Sequence, residues 1–250
     1  MGQPAVEFRD VSYRLPDGRE VLHQASLEVN RGEILVMLGR SGSGKTTALK
    51  LVNRLLEASA GDVLVEGRAV GAWDRIRLRR HIGYAIQEVG LFPHYTVERN
   101  IGLVPEIEDW PKERIAGRVG DLLALVDLDS QIGRRYPHQL SGGQRQRVGV
   151  ACALAADPPI LLMDEPFGAL DPLTRAELQR EFLSLQQKLR KTVLFVTHDL
   201  REALLLGTRV ALLENGEVVA VNTRDEFLRS SEPLVARYVS AFGNSLALGS

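Results

Sequence analysis

The sequence has a single cysteine, Cys152, so no internal disulfide can form. A reducing, cytosolic setting is expected. Long apolar runs are also missing. The richest stretches, Val148 to Ala156 and Ile160 to Met163, stop at Asp157 and Asp164, short of the roughly 18 residues that mark a membrane span. The opening, Met-Gly-Gln-Pro-Ala-Val-Glu-Phe, lacks the basic and then apolar profile of a secretory leader. An excess of one charge is absent too: 31 basic against 32 acidic side chains leave a formal charge of −1. That argues against nucleic acid as a partner, because duplex binding is driven by a basic surface. With 44% hydrophobic residues, 23 Gly and 11 Pro, the chain fits neither a disordered nor a collagenous composition. It shows no repeat of fixed period and no low-complexity linker, so one large domain with room for two lobes is expected.

The segments Val6-Glu7-Phe8 and Ser26-Leu27-Glu28-Val29 alternate apolar and polar residues, and Pro16-Asp17-Gly18 supplies a turn between them. Ile34 to Leu38 is apolar throughout, as suits a strand covered on both faces in a parallel sheet. Ile160 to Met163 and Val193 to Val196 repeat that pattern, each followed by a helix-like stretch, so strand, loop and helix alternate. From about Val89 to Asp157 helical periodicity takes over, with apolar residues at Ile115, Val119, Leu122, Leu123 and Val126. Asn215-Gly216 between two apolar runs is a hairpin signal. The expected fold is α/β: a parallel-sheet core with an N-terminal antiparallel β part and an inserted helical lobe. The boundaries read as core about 1–88 and 158–242, lobe about 89–157 and tail 243–250.

Three motifs carry chemistry. Gly39-Arg40-Ser41-Gly42-Ser43-Gly44-Lys45-Thr46 fits the phosphate-loop pattern, between the strand Ile34 to Leu38 and a helix beginning near Thr47. Its glycines let successive N–H groups and a helix start point at phosphates, Lys45 reaches the β- and γ-phosphates, and Thr46 offers a hydroxyl to Mg²⁺. Ile160 to Glu165 is a buried strand ending in two carboxylates, Asp164 for Mg²⁺ and Glu165 as general base for an attacking water. Leu140-Ser141-Gly142-Gly143-Gln144 opens a second helix start able to receive an anion. One nucleotide has one γ-phosphate, already gripped by the first loop. The second site therefore implies a second copy of the chain, with ATP held between the two.

With these motifs in place, the chain resembles the nucleotide-binding subunit of an ATP-binding cassette transporter over essentially its whole length. Residues 39–46 correspond to the family's Walker A motif, 160–165 to Walker B with the following Glu, and 140–144 to the signature motif. The resemblance implies ATP and Mg²⁺ as cofactors and assigns roles to further positions. Gln87 matches the glutamine that contacts Mg²⁺ and the attacking water and links hydrolysis to the membrane subunit. Asp171, in Ala169-Leu170-Asp171, matches an Asp that crosses the dimer interface. His198 matches the histidine that contacts the γ-phosphate, and Thr47 continues the phosphate-binding group. The family usually places an adenine-stacking aromatic at the position held here by Leu15. Tyr13, on the same strand face by the two-residue period, either substitutes for it or is an edge-strand aromatic. Cys152 stands where relatives commonly have Arg.

The segment Gln87 to Val97, together with Leu51 to Leu55, Arg135-Tyr136-Pro137 and Asp164 to Pro172, resembles importer subunits of osmoprotectant systems for glycine betaine, choline or carnitine. This implies a peripheral subunit on the cytoplasmic face of the cell membrane. It would contact transmembrane permease subunits near Gln87 to Tyr95 and serve a solute-binding protein indirectly. Val89, Leu91, Phe92 and Pro93 then form either a groove for a permease helix or packing within the lobe. The arginines 75, 77, 79 and 80 read as a solvated helix face. Osmoprotectant relatives often carry a C-terminal regulatory domain, and the chain ends soon after a helix-like 233–242, so regulation by salt is not expected. Alternatives are a cassette for another solute or for export, and a soluble cassette protein of translation or repair.

Overall fold

The turn at Pro16-Asp17-Gly18 is closed by the Leu15 N–H donating to the Arg19 carbonyl at 2.8 Å and the Gly18 N–H donating to the Leu15 carbonyl at 2.9 Å. It joins β1 (Val6–Arg14) to β2 (Glu20–Val29), which pair antiparallel. Both strands run further than their clean alternating segments announce. Irregularities after Phe8, Val11 and Tyr13 reset the alternation on which a period-two reading depends. The computed structural model describes residues 3–86, 90–168 and 170–247.

In chain order the further elements are β3 (Ile34–Leu38), α1 (Lys45–Val52), β4 (Ala60–Val65), β5 (Arg68–Ala69), α2 (Arg75–His81) and β6 (Ile82–Ala85). Then come α3 (Val97–Ile107), α4 (Lys112–Leu125), α5 (Gly142–Leu154), β7 (Ile160–Asp164) and α6 (Pro172–Leu189). The chain continues through β8 (Thr192–Thr197), α7 (Leu200–Leu206), β9 (Arg209–Glu214), β10 (Glu217–Thr223), α8 (Arg224–Leu228) and α9 (Pro233–Ala247). These fall into two compact units, Met1–Arg79 with Thr192–Ser250, and Arg80–Lys191.

The first unit holds an antiparallel sheet in the order β2-β1-β4-β5. β1 is therefore an inner strand, and the edge-strand reading of Tyr13 is corrected. β3 runs parallel to β8 on one side and to β9 on the other, and β10 closes antiparallel on β9. The β9–β10 hairpin turns at Asn215-Gly216, with φ of 50° and 85°, the left-handed pair a two-residue hairpin requires. Every residue of β3 and β8 is buried. Large apolar side chains among them contribute roughly 1.5–3 kcal/mol each. The turn into β3 is held by Glu33, only 7% exposed. Its Oε2 accepts from the Asn30 backbone N–H at 2.7 Å and from Asn30 Nδ2 at 2.8 Å, while Arg209 pairs with Oε1 at 3.2 Å. A carboxylate at that depth is tolerable because its lone pairs are used.

In the second unit β6 and β7 run parallel, and the described residues between them form helices and short 3₁₀ turns. A Cβ at Gly83 would lie 2.1 Å from the Ala153 carbonyl, so glycine is what allows α5 to approach β6 so closely. Val119, Leu122 and Leu123 of α4 are buried at helical spacing, as the periodicity requires. Arg118 on the same helix donates to the carbonyls of Leu154 at 2.7 Å and Ala155 at 3.2 Å, placing a cation at the carbonyl end of α5.

Candidate functional site

Buried β3 delivers the phosphate loop of the first unit. Arg40, Ser41 and Gly42 face solvent, while Gly39, Ser43, Gly44 and Lys45 are buried and Thr46 and Thr47 half-buried. Gly42 and Gly44 have φ of 83° and 98°, a region other residues enter at a cost. Gly44 occupies the N-cap of α1, and no side chain caps that helix. Helices α5, α6 and α7 are by contrast capped by Ser141, Asp171 and Asp199. The start of α1 thus lacks a cap of its own, the condition under which N–H groups can be given to phosphate. Lys45 folds over the loop, its Nζ donating to the carbonyls of Gly39 at 2.8 Å and Arg40 at 2.7 Å. These contacts hold the buried Lys45 side chain inside the cradle.

The loop's neighbours in this unit fit the same purpose. Parallel register pairs Leu38 with Thr197, so Gly39 and exposed His198 leave adjacent strands at the same end. A Cβ on Gly44 would lie 2.6 Å from Leu22 Cδ2. Leu22 pairs directly with Tyr13 across β1 and β2. Directly paired residues share a sheet face, so Tyr13 is on the face that meets the start of α1. Leu15 is in the hairpin turn, engaged through its backbone with Arg19 and Gly18.

The second unit gathers the acidic and signature residues. Asp164 ends fully buried β7 and is itself 7% exposed. The Tyr84 hydroxyl on β6 donates to its Oδ2 at 3.3 Å. Burial first, and then the Asp164 charge, push the Tyr84 phenol well above its ordinary range, so it stays protonated and a donor at neutral pH. Glu165 is half-buried with φ of 44° in a tight turn closed by the Gly168 N–H to its carbonyl at 3.1 Å. A left-handed glutamate costs on the order of 1–2 kcal/mol, and such strain collects at functional positions.

Ser141 and Gln144 form a reciprocal cap: Ser141 Oγ accepts from the Gln144 N–H at 3.2 Å and Gln144 Oε1 from the Ser141 N–H at 3.0 Å. A Cβ at Gly143 would meet Thr174 Cγ2 at 2.9 Å, so the signature residues pack beside the start of α6. That start is capped by Asp171, whose Oδ1 accepts from the N–H groups of Leu173 and Thr174, both at 3.1 Å. Hydrogen bonds from the Thr174 side chain and then its backbone hold the Asp171 carboxyl below its usual range. The expectations on Gln87, Val89 and Ala169 lie outside the described residues.

Sequence reasoning missed two residues here, Tyr84 and Asn100. Asn100 is 6% exposed and fastens the turn before α3. Its Nδ2 donates to the carbonyls of Phe92, Tyr95 and Thr96 at 3.2, 3.2 and 3.0 Å, and its Oδ1 accepts from the Phe92 N–H at 2.7 Å. Nothing in local patterning flags a polar residue on the buried side of a helix as a turn organiser. Beside this turn Tyr84, Ile86, Leu91, Phe92 and Cys152 line a cavity of about 190 Å³. Phe92 remains 46% exposed, and burial pushes the Cys152 thiol up to about 12, protonated at neutral pH.

A buried parallel strand feeding a glycine-rich loop and an uncapped helix start, with an acidic strand end elsewhere in the chain, defines an α/β protein of the P-loop nucleotide-binding class. Residues 22–168 match the family described as ABC transporter, and the chain belongs to that family. It is 49% identical over 225 residues, 90% of this chain and 59% of the relative, to the glycine betaine/carnitine/choline transport ATP-binding protein OpuCA of Bacillus subtilis (strain 168). It is 49% identical over 214 residues, 86% of this chain and 69% of the relative, to the glycine betaine uptake system ATP-binding protein YehX of Escherichia coli (strain K12). A solved dimer of the ATP-binding cassette MJ0796, in a post-hydrolysis state bound to ADP and Pi, superposes with a TM-score of 0.79 at 32% identity, covering 88% of this chain and 98% of that one. The chain spans less than two thirds of the length of OpuCA.

Proposed function

We propose that this chain is the ATP-hydrolysing subunit of an ABC importer, powering uptake of a small solute of the osmoprotectant kind, such as glycine betaine, choline or carnitine. The observation that carries the reading is the loop 39–46, with Lys45 folded inside it and the start of α1 left without a side-chain cap. The names of the related transport ATP-binding proteins supply the solute class.

In this reading the N–H groups of 42–47 and the Lys45 ammonium bind the β- and γ-phosphates, and His198 steadies the γ-phosphate. Among the described residues no three His, Cys, Asp or Glu side chains gather into a metal cage. The hydroxyl of Thr46 and the carboxylate of Asp164 are instead the hard oxygen donors Mg²⁺ takes alongside nucleotide phosphates, and they fit that cation. Bound there, with Gln87 as a further contact, Mg²⁺ would neutralise charge on the phosphate oxygens. Glu165 takes the proton of the attacking water, and Tyr13 stacks on the adenine in place of the aromatic absent at Leu15. Ser141, Gly142, Gly143, Gln144 and Asp171 face the nucleotide of a second copy, giving an ATP-sandwich homodimer. Permease subunits seat near Gln87 to Tyr95 of the lobe 89–157, on the cytoplasmic face of the membrane, and a solute-binding protein acts through them. Nucleic acid has no part in it.

Replacing Glu165 by Gln tests this. Loss of the general base lowers ATP turnover on the order of 10²-fold or more and leaves a stable ATP-bound dimer. A Glu165→Gln protein that stays monomeric at saturating ATP and Mg²⁺ overturns the sandwich. Recovery of the wild-type protein from native membranes with ribosomes or DNA alone, without a multi-span partner, overturns the transport reading.

A further inference from the structure

Strand β6 reads Ile82-Gly83-Tyr84-Ala85, small and apolar except for one phenol, and its register sets Tyr84 opposite Leu162, two residues before the end of β7. From that position the hydroxyl reaches forward along the neighbouring strand to Oδ2 of Asp164. A carboxylate at a strand end can turn about its side-chain torsions, and at 7% exposure bulk water does little to orient it. A donor fixed to the adjacent strand is therefore one of the contacts that can set which way the carboxylate plane faces. The separation of 3.3 Å is longer than the ~2.7 Å of a tight hydroxyl–carboxylate bond, so the contact biases the carboxylate's orientation without locking it. The ring also lines the cavity with Ile86, Leu91 and Phe92.

We propose that Tyr84 is a positioning residue, whose hydroxyl orients the Asp164 carboxylate for the divalent cation that accompanies the nucleotide. This rests on the ATPase reading above and adds a residue that the phosphate-loop and acidic motifs do not contain. Outer partners of this kind, which orient a ligand without touching the metal, typically cost 10–100-fold in metal affinity when removed. Tyr84 is at the lower end of that range, because its bond is long and Asp164 supplies only part of the cation's coordination.

Two variants of the purified chain test the assignment, Tyr84→Phe and Tyr84→Met. Three quantities are measured: binding of a fluorescent ATP analogue in EDTA, binding of Mn²⁺ by electron paramagnetic resonance with a non-hydrolysable ATP analogue present, and the Mg²⁺ concentration for half-maximal ATPase rate. Expected for both variants is metal-free nucleotide affinity equal to wild type, with Mn²⁺ affinity and Mg²⁺ half-saturation weakened roughly tenfold. Cation binding within twofold of wild type in Tyr84→Phe overturns the proposal. So does a defect confined to Tyr84→Met, since it would trace to ring packing, and so does a parallel loss of metal-free nucleotide binding, since that marks a general structural role. Failure of the ATPase reading looks different: the wild-type chain itself would bind no nucleotide or show no cation dependence.

Discussion

Alanine at Gly44 should damage this protein far more than alanine at Gly42, although both glycines have positive φ within one loop. At Gly42, φ is 83° and an added Cβ meets nothing within 4 Å. The cost there is backbone strain of ~1–2 kcal/mol, partly offset because alanine also reduces the freedom of the unfolded chain by ~0.4–1 kcal/mol. About 1 kcal/mol of net destabilisation remains. At Gly44, φ is 98° and the Cβ would lie 2.6 Å from Leu22 Cδ2 and 2.9 Å from the Val21 carbonyl oxygen. The leucine methyl can swing aside, but the carbonyl belongs to a paired strand and can move only if β2 moves. Overpacking of this type adds ~1–3 kcal/mol, bringing Gly44→Ala to about 2–4 kcal/mol. A domain of ordinary stability, ~5–15 kcal/mol, survives that loss with a displaced loop. Urea unfolding of wild type and both variants without nucleotide measures the difference directly. If Gly44→Ala lies within about 0.5 kcal/mol of Gly42→Ala, against an expected gap of about 1–3 kcal/mol, the packing argument for this loop is wrong.

Two further outcomes follow from the second unit. Asn100→Ala removes a buried amide that makes four bonds to the 92–96 turn and leaves its partners unsatisfied. It should cost about 2–4 kcal/mol in urea unfolding, and a loss below 1 kcal/mol would show that the turn holds itself. Asp171 titrates below its ordinary 3.8 because its charged form is hydrogen-bonded. Its contribution is therefore present above about pH 4 and fades as pH falls through the lower folded value. Asn at this position keeps an acceptor for the cap without the charge. Thermal melts of Asp171→Asn should accordingly show less acid dependence below pH 4 than wild type, and identical slopes would refute the capping account.

What the sequence disclosed and what it withheld divide along a physical line. Ile34 to Leu38 and Val193 to Val196 could be read as buried strands because each residue's burial is written in its own side chain. The phosphate loop could be read because glycine, lysine and threonine are required at fixed spacing within one continuous turn. Asn215-Gly216 specified its hairpin for the same local reason. By contrast, the full lengths of β1 and β2 were hidden, because bulges shift the pattern by one residue and the partner strand decides where pairing resumes.

Tyr13 shows the same division within a single residue. Its place on a strand was legible, but whether that strand was inner or edge depended on β4, which begins at Ala60 and pairs with β1 through Ser12. The face it shares with the phosphate loop depended on Leu22 and Gly44, partners brought together only by the hairpin and the close approach of α1. Tyr84 and Asp164 are 80 positions apart, and neither carries a local sign of the other. A motif therefore identifies groups that must be present in one stretch of chain, while the groups that aim them come from neighbouring strands and are chosen by register. The acidic strand end was visible as chemistry, and its orientation became visible only once β6 was paired beside β7.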